Sequence, residues 1–441
     1  MFEYVRLKNF KAFDDITFDL RDKKGRPKQL VLIYGENGIG KSNLASAFFM
    51  IAETLRTMDV RDIVQSLLEA NPKTLNDEEF SRIIKMRYKD IETLISENKT
   101  VASKDPMYLE FGFQIDGKSG RYILESDNSQ IIHERLEYTL SRNRGTYYDI
   151  TPHKASISPK IFMDRASHQD VSIACAKYWG KHSFLSILLH ESNDKSDEYI
   201  SAQISDNFCK VLDFFTHLSC KIKFGSRQER GIIGLPPEIF GDLESGIIPI
   251  QEEDSLNRTE EMLNLFFKYT YRDIESAYYK RTRKEGTLRY QLMIRKLIAG
   301  ESKDIDFSLE STGTQSLIQQ LPFMLVVVKG AVAVIDEFDT GIHDILVQNL
   351  ITSLNNNING QLIMTTHNTL LMESNLPKES IYVINELPGG EREIQCITRY
   401  GETIYPNTNI RDRYMLGKYK GIPEKIQINF TKLISTLETK E

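Results

Sequence analysis

Residues 30–49 constrain the fold of this chain more than any other stretch. Leu30-Val31-Leu32-Ile33-Tyr34 is an apolar run with the length of a buried strand. Gly35-Glu36-Asn37-Gly38-Ile39-Gly40-Lys41-Ser42 follows at once, and Asn43, Leu44, Ala45, Ala47, Phe48 and Phe49 continue as a largely apolar helix. A strand that turns into a helix through a glycine-rich loop closed by Lys-Ser is a phosphate cradle. Gly35, Gly38 and Gly40 let the backbone curl until successive N–H groups point at one centre. Lys41 adds a point charge for the β- and γ-phosphates, and the Ser42 hydroxyl is placed to ligate Mg²⁺. The motif therefore implies a nucleoside triphosphate with Mg²⁺.

The second half of the chain supplies matching parts. Val332-Ala333-Val334-Ile335 reads as a buried strand ending in Asp336 and Glu337. In nucleotide hydrolases the first acid of such a pair holds Mg²⁺, and the second polarises the attacking water as general base. Leu362 to Thr366 repeats the shape and ends at His367, placed to contact a γ-phosphate. Glu310-Ser311-Thr312-Gly313-Thr314-Gln315 is a hydroxyl-rich glycine turn that opens a helix running to Val328, an anion site by its position. Each has a plainer reading: an acidic strand end that caps a turn, a structural histidine, an ordinary helix cap. Their order behind the phosphate loop favours the functional one.

The 441 residues suffice for two or three domains, and 40% hydrophobic with 27% charged residues is ordinary globular composition. A net charge of −6 argues against a surface coated in basic groups, while leaving room for a local nucleic-acid groove. Cys175, Cys209, Cys220 and Cys396 are widely spaced and form no Cys-x-x-Cys pair, so free thiols in a reducing compartment are expected. The opening Met1 to Arg6 is interrupted by charge, unlike a signal peptide, and the apolar stretch Leu321–Val334 is broken by Lys329 and Gly330. A cytoplasmic protein with no membrane segment is the expectation.

Along the chain, residues 2–20 read as two short strands about a turn, and Lys23 to Pro27 as a loop. Helical periodicity runs from Lys41 to Asn98 with a break at Asn71-Pro72. Tyr108–Ile115 and Tyr122–Leu124 flank a hairpin signal at Asp116-Gly117, and strands continue to Ile150 as an antiparallel lobe. From Ser167 to Leu297 helical periodicity dominates, divided by a Gly- and Pro-rich loop from Gly225 to Pro249. After Ser302 helix and strand alternate, as in the second half of a parallel sheet.

The order phosphate loop, long insertion, Ser311-Thr312-Gly313-Thr314-Gln315, Asp336-Glu337, Phe338-Asp339-Thr340-Gly341-Ile342-His343, His367 resembles the ABC-type ATPases. Within them it is most similar to the heads of the SMC, RecF and overcoming-lysogenisation group, whose first strand and turn Val5 to Phe13 also resembles. The Ser-x-Gly-Thr signature, His343 and the tail Asn409 to Pro423 look like the stand-alone AAA/ABC-like ATPases of bacterial abortive-infection and anti-phage loci (RloA- and AbiL-like proteins and the ATPase of PARIS systems). The resemblance implies an α/β fold: an ABC-ATPase head with a mixed sheet core and an antiparallel β lobe, interrupted by a large, mainly helical insertion. The head halves would be 1–150 and 301–405, the insertion 151–300 and a C-terminal tail 406–441.

The implied ligands are ATP and Mg²⁺, bound by Gly35 to Asn43, with Ser42 and Asp336 on the metal and Glu337 and His367 as catalytic groups. Ser311, Thr312 and Gly313 would complete a neighbouring subunit's site, with Asp339 across the same interface, so a homo-oligomer of at least two copies is implied. Either Ser311 or Thr312 is the signature hydroxyl, and Gln114 is a candidate for the glutamine loop or simply a strand residue.

Lys280, Arg281, Arg283, Lys284, Arg289, Arg295 and Lys296, with Tyr278, Tyr279 and Tyr290 among them, read as a basic helical stretch. It suits a phosphate backbone, an acidic protein or plain solvent. Two functions compete. One is a defence ATPase that answers a trigger, phage-encoded in one version, and controls a separate effector such as a nuclease. The stretch after His367 is too short for a Toprim nuclease domain, and the chain shows no toxic chemistry of its own. The other is a RecF- or Rad50-like DNA-repair ATPase, though long heptads and a Cys-x-x-Cys hook are missing. A transporter subunit fits the altered signature and the insertion poorly.

Overall fold

Period-two alternation in the central strands divides the interior into two cores. The structure, a computed structural model, describes residues 1–70, 88–191, 203–224, 228–235, 239–401, 404–405, 408–423 and 427–438. The expected break at Asn71-Pro72 lies outside them. β1 (Phe2–Phe10) and β2 (Phe13–Asp19) form a hairpin, and β3 (Leu30–Tyr34) leads through the glycine loop into α1 (Lys41–Thr54). α2 (Thr57–Ala70) and α3 (Ile91–Asn98) follow. β4 (Met107–Ile115), β5 (Lys118–Ser126), β6 (Ile131–Thr139), β7 (Arg144–Thr151) and β8 (Lys154–Ile157) extend the first hairpin into a seven-stranded antiparallel sheet, the expected lobe. Its β4–β5 turn is Asp116 (φ 50°) and Gly117 (φ 73°), as a two-residue hairpin of right-handed twist requires.

The chain then runs through α4 (Arg165–Tyr178), α5 (Phe184–His190) and α6 (Asp206–Thr216) to β9 (Ser219–Phe224) and β10 (Gln228–Ile232). β11 (Ser245–Pro249), α7 (Glu253–Thr270), β12 (Ile274–Lys284), β13 (Thr287–Ile298) and β14 (Glu301–Asp306) form a small antiparallel sheet with its helix. α8 (Thr312–Val328), β15 (Val332–Ile335), α9 (Asp344–Asn355), β16 (Gln361–Thr365), β17 (Ile381–Glu386) and β18 (Arg392–Cys396) complete the core, and α10 (Ile410–Met415) and α11 (Phe430–Glu438) make the tail.

The helical expectation for 167–297 holds for α4 to α7 and is corrected elsewhere. β9 and β10 enter the core sheet, β10 and β11 occupy part of the expected loop, and the basic stretch is the β12–β13 hairpin. On β12, Ala277 and Tyr279 point inward while Lys280 and Thr282 face out, a strand period that long cationic side chains conceal at sequence level.

The core sheet has the order β10-β9-β15-β16-β3-β17-β18, parallel from β9 to β17 with antiparallel edges. Val31, Ile33, Val334 and Ile363 face one core, shared with α1 and the antiparallel lobe. Leu32, Tyr34, Ile335 and Met364 face the other, shared with α8, α9 and the small sheet. Strands buried on both faces must be apolar throughout, hence the unbroken runs visible in the sequence. The Gln361 side chain, fully buried, closes the seam by accepting from Phe2 N–H (2.7 Å) and donating to the Phe2 (3.0 Å) and Lys28 (2.8 Å) carbonyls.

Candidate active site

β16 lies between β3 and β15, so the loops leaving three neighbouring parallel strands open on one edge of the sheet, where ligands of such folds bind. The first loop carries the glycines. Gly38 (φ 79°) and Gly40 (φ 116°) occupy backbone conformations that side chains disfavour. A Cβ at Gly40 would also meet the Phe13 ring at 2.9 Å, and one at Gly35 the Ile384 carbonyl at 3.0 Å. Gly40 is the N-cap of α1 and no side chain caps it, so the first-turn N–H groups of Lys41, Ser42 and Asn43 have no intrahelical acceptor. Glu36, Asn37 and Gly38 form the crest of the loop, while Ile39 is buried beneath it.

The Lys41 ammonium folds back on the loop, donating to the carbonyls of Gly35 (2.8 Å) and Glu36 (2.9 Å). Burial lowers its pKa against the pull of Asp336, Glu337 and Asp339, all close enough to act on it. Lys11, from the β1–β2 turn, reaches the same helix and donates to Ser46 Oγ at 3.0 Å; burial pushes it down to about 8. The sequence offered no sign of this second ammonium, because only the packing of the hairpin on α1 brings it there.

Asp336 is 2% exposed. Its Oδ1 accepts the Thr365 hydroxyl at 2.6 Å, whereas Oδ2 has no hydrogen-bond partner among the described residues. Burial raises its pKa, the bonded Thr365 hydroxyl and the Ser42 hydroxyl near by pull it down, and the neighbouring Glu337 adds to the rise. A buried bare carboxylate oxygen beside a hydroxyl and the phosphate cradle is a donor set that suits Mg²⁺, which takes oxygen ligands from one or two carboxylates and a substrate phosphate. Among the described residues no His/Cys/Asp/Glu cluster forms a separate metal centre.

Glu337 adopts φ 49°, and its N–H donates to Thr365 Oγ1 at 2.7 Å. One threonine hydroxyl thus organises both acids. Glu337 Oε2 accepts from Lys223 Nζ at 2.5 Å and from Thr340 Oγ1 at 3.2 Å. Burial would raise this carboxyl, but Lys223 outweighs it and holds the pKa below the ordinary value. His367 follows β16; its N–H donates to Asp339 Oδ2 at 3.0 Å. Burial and the Lys41 charge lower the pKa of its ring, while Asp339, Glu337 and Asp336 oppose them. The structure therefore gathers Lys41, Asp336, Glu337, Asp339 and His367 within one chain.

The side-chain hydrogen bonds of the signature turn do not reach them. Ser311 is the N-cap of α8, accepting Thr314 N–H at 3.2 Å, and Thr312 is exposed. A Cβ on Gly313 would lie 2.5 Å from the Gly341 carbonyl, so this turn packs on the loop after β15. The side-chain hydrogen bonds of 311–315 stay within 308–315 among the described residues. Asp339, placed across an interface by the resemblance, here contacts His367 of its own chain. Gln114 is a β4 residue whose amide donates to Glu3 Oε1 at 3.1 Å, a lobe contact and no part of this site.

Four of the seven cations of the basic hairpin are paired in the chain: Arg281 with Glu260 (3.0 Å), Arg283 with Glu253 (2.8 Å), Arg295 with Asp304 (2.8 Å) and Lys296 with Asp273 (3.1 Å). Lys280, Lys284 and Arg289 are exposed. Tyr279 and Tyr290 are buried, and their hydroxyls donate to the carbonyls of Leu243 (2.9 Å) and Asp242 (2.8 Å), so they pack a core instead of offering faces to bases.

A family model described as "AAA domain, putative AbiEii toxin, Type IV TA system" matches residues 30–373, from the first residue of β3 past His367. No curated protein matches the chain. Among solved structures it is similar to an SMC head domain from Thermotoga maritima, at 16% identity over 90% of this chain and 98% of that one, with a TM-score of 0.38. An SMC head bound to the C-winged helix domain of ScpA gives 16% identity, 89% and 96% coverage and 0.41. An Smc head with an extended coiled coil, bound to the C-terminal domain of ScpA derived from Pyrococcus furiosus, gives 14%, 99%, 98% and 0.39.

Proposed function

The chain belongs to the AAA-domain family of that description, and from this premise we propose that it is a Mg²⁺-dependent ATPase whose nucleotide state controls a separate effector in bacterial anti-phage or abortive-infection defence. The observation that carries the hydrolytic part is the convergence of Lys41, Asp336, Glu337 and His367 at the ends of adjacent parallel strands, around an uncapped helix N-terminus. The loop N–H groups and Lys41 bind the phosphates, Lys41 exchanging its carbonyl partners for phosphate oxygens. His367 meets the γ-phosphate, and Glu337 takes a proton from water as it attacks. Mg²⁺, held by Ser42 and Asp336, would neutralise charge on the phosphates.

The signature turn supports sites shared between copies. Thr312 faces solvent, and Leu309, three residues before it, is 75% exposed, apolar surface that a second subunit would cover. A homo-oligomer joined by ATP and released by hydrolysis is a two-state element through which a trigger can act on an effector, a nuclease being the natural class. The family description, which names a toxin of a toxin–antitoxin system, supports a defence setting. Among the described residues no helix is long and apolar enough to cross a membrane.

Lys41→Ala is expected to abolish ATP binding. Glu337→Gln is expected to retain it while turnover falls about a hundredfold or more. Pull-down of Glu337→Gln with ATP from native cells should recover a stoichiometric protein partner. Recovery of nucleic acid alone, with DNA-stimulated hydrolysis lost on changing Lys280, Lys284 and Arg289, would instead favour a RecF- or Rad50-like repair role.

A further inference from the structure

Lys223 is the one basic side chain seen to bond the Glu337 carboxylate among the described residues, and the strand register explains why it reaches it. β9 and β15 run parallel with Ile335 level with Lys221, and the Asp336 N–H donates to the Lys221 carbonyl at 2.8 Å. Two residues further along come Lys223, still on β9, and Glu337, in the turn that leaves β15. The Lys223 ammonium lies 2.5 Å from Glu337 Oε2 and 2.7 Å from Thr340 Oγ1, and the Thr340 hydroxyl donates to the same Oε2 at 3.2 Å. Three groups close a triangle about one carboxylate oxygen. From the other side, Thr365 Oγ1 fixes the Glu337 backbone N–H, and the positive φ of Glu337 sets the direction in which its side chain leaves.

We propose that Lys223 is a positioning residue for hydrolysis: with Thr340 it occupies Oε2 of Glu337 and leaves Oε1 as the oxygen that receives the proton of the attacking water. The water oxygen bonds to the γ-phosphorus, the bond from that phosphorus to the bridging oxygen of ADP breaks, and one water proton passes to Oε1, to be returned to solvent after phosphate leaves. Pinning one oxygen removes the side-chain rotation that would otherwise carry the base out of line, and a small misplacement of a reacting group is enough to cost about two orders of magnitude in rate. The inference rests on the reading of Glu337 as general base.

The test compares wild type, Glu337→Gln, Lys223→Met, Lys223→Arg and the double variant Lys223→Met/Glu337→Gln in the full chain. ATP turnover is measured against ATP concentration, and affinity for a fluorescent ATP analogue with Mg²⁺ is measured separately. Lys223→Met is expected to lower kcat about tenfold or more. KM and analogue affinity should stay within about twofold of wild type, the pattern of an interaction made in the transition state. Lys223→Arg should recover most of the rate, and Lys223→Met should remove nothing further from the Glu337→Gln variant, because both act through one carboxylate. A kcat at or above wild type in Lys223→Met would overturn the proposal. So would a parallel loss of analogue binding, which would make Lys223 a phosphate contact, or an equal further loss in the double variant. If Lys223→Met does not fold, a Lys223→Arg rate no better than Glu337→Gln also overturns it. If Glu337→Gln hydrolyses at the wild-type rate, the base assignment itself falls and Lys223 loses its role with it, a result told apart by that variant alone.

Discussion

Glu134 in the antiparallel lobe and Asp336 at the edge of the core sheet are both carboxylates sealed from solvent, and the molecule treats them in opposite ways. Glu134, fully buried on β6, accepts four hydrogen bonds: Tyr122 (3.0 Å) and Tyr148 (3.1 Å) on Oε1, Trp179 Nε1 (2.9 Å) and Phe184 N–H (2.7 Å) on Oε2. Burial raises its pKa and these donors partly restore it. Asp336 receives one hydroxyl on Oδ1 and nothing on Oδ2 among the described residues. A buried polar group with every lone pair engaged ties elements together; here the donors come from two sheet strands and the helical cover. One left bare is a cost the fold carries, and beside the glycine loop it fits the ligand site proposed above.

Four substitutions and a titration sharpen or break this contrast. The largest effect should come from Asp336→Asn: turnover falls about a hundredfold or more in a steady-state ATPase assay, while the thermal midpoint holds or rises, because an incompletely partnered buried charge is gone. Glu134→Gln should do the reverse. Its amide faces donors with donors, so calorimetry or denaturant titration should find a loss of about 1–3 kcal/mol, with hydrolysis per folded molecule unchanged. If Asp336→Asn proved the more destabilising of the two, the division into scaffold and site would be wrong. Thr365→Val should cost about 1 kcal/mol of stability and, by releasing both acids, about tenfold in turnover. An unchanged rate would show that the acids hold their places without it.

The last effect, on stability alone and only in acid, belongs to the helical cover of the lobe. Burial, with the charges of Arg61 and His190, lowers the His182 pKa from 6.5 to about 4. The unfolded chain therefore binds more protons than the folded one between those values, so this contribution is complete above pH 6.5 and is lost as pH falls toward 4. On the order of 2 kcal/mol of acid destabilisation should disappear in His182→Gln, measured as the difference in midpoint between pH 7 and pH 5. An identical acid loss in the variant would remove His182 from the account.

The candidate site was legible wherever it rests on an unusual local backbone or an unusual run of residue types. Gly38 and Gly40 take positive φ, and apolar strands must be uninterrupted when both faces are covered, so the cradle, the β15 acids and the β16 histidine can all be read from neighbouring residues. Lys11, Lys223 and Thr365 could not be read in this way as parts of the site. Lys223 and Glu337 are 114 positions apart, and nothing beside either one announces the other. The basic hairpin reads as a helix for a related reason: its inward Ala277, Tyr279, Leu288 and Leu292 alternate, but the cations between them resemble a helix face until the strands pair.

By itself the sequence determined the strand-to-helix turns and the residue types of the candidate site, because those depend on backbone conformations and residue types set within a few positions. Tertiary structure decided which groups meet. The insertion of β16 between β3 and β15, the register that sets Lys221 beside Ile335 and so brings Lys223 near Glu337, and the folding of the β1–β2 turn over α1 all follow from long-range strand pairing. Such pairing is selected by the burial of whole sheet faces, a property of the assembled cores and of no single segment.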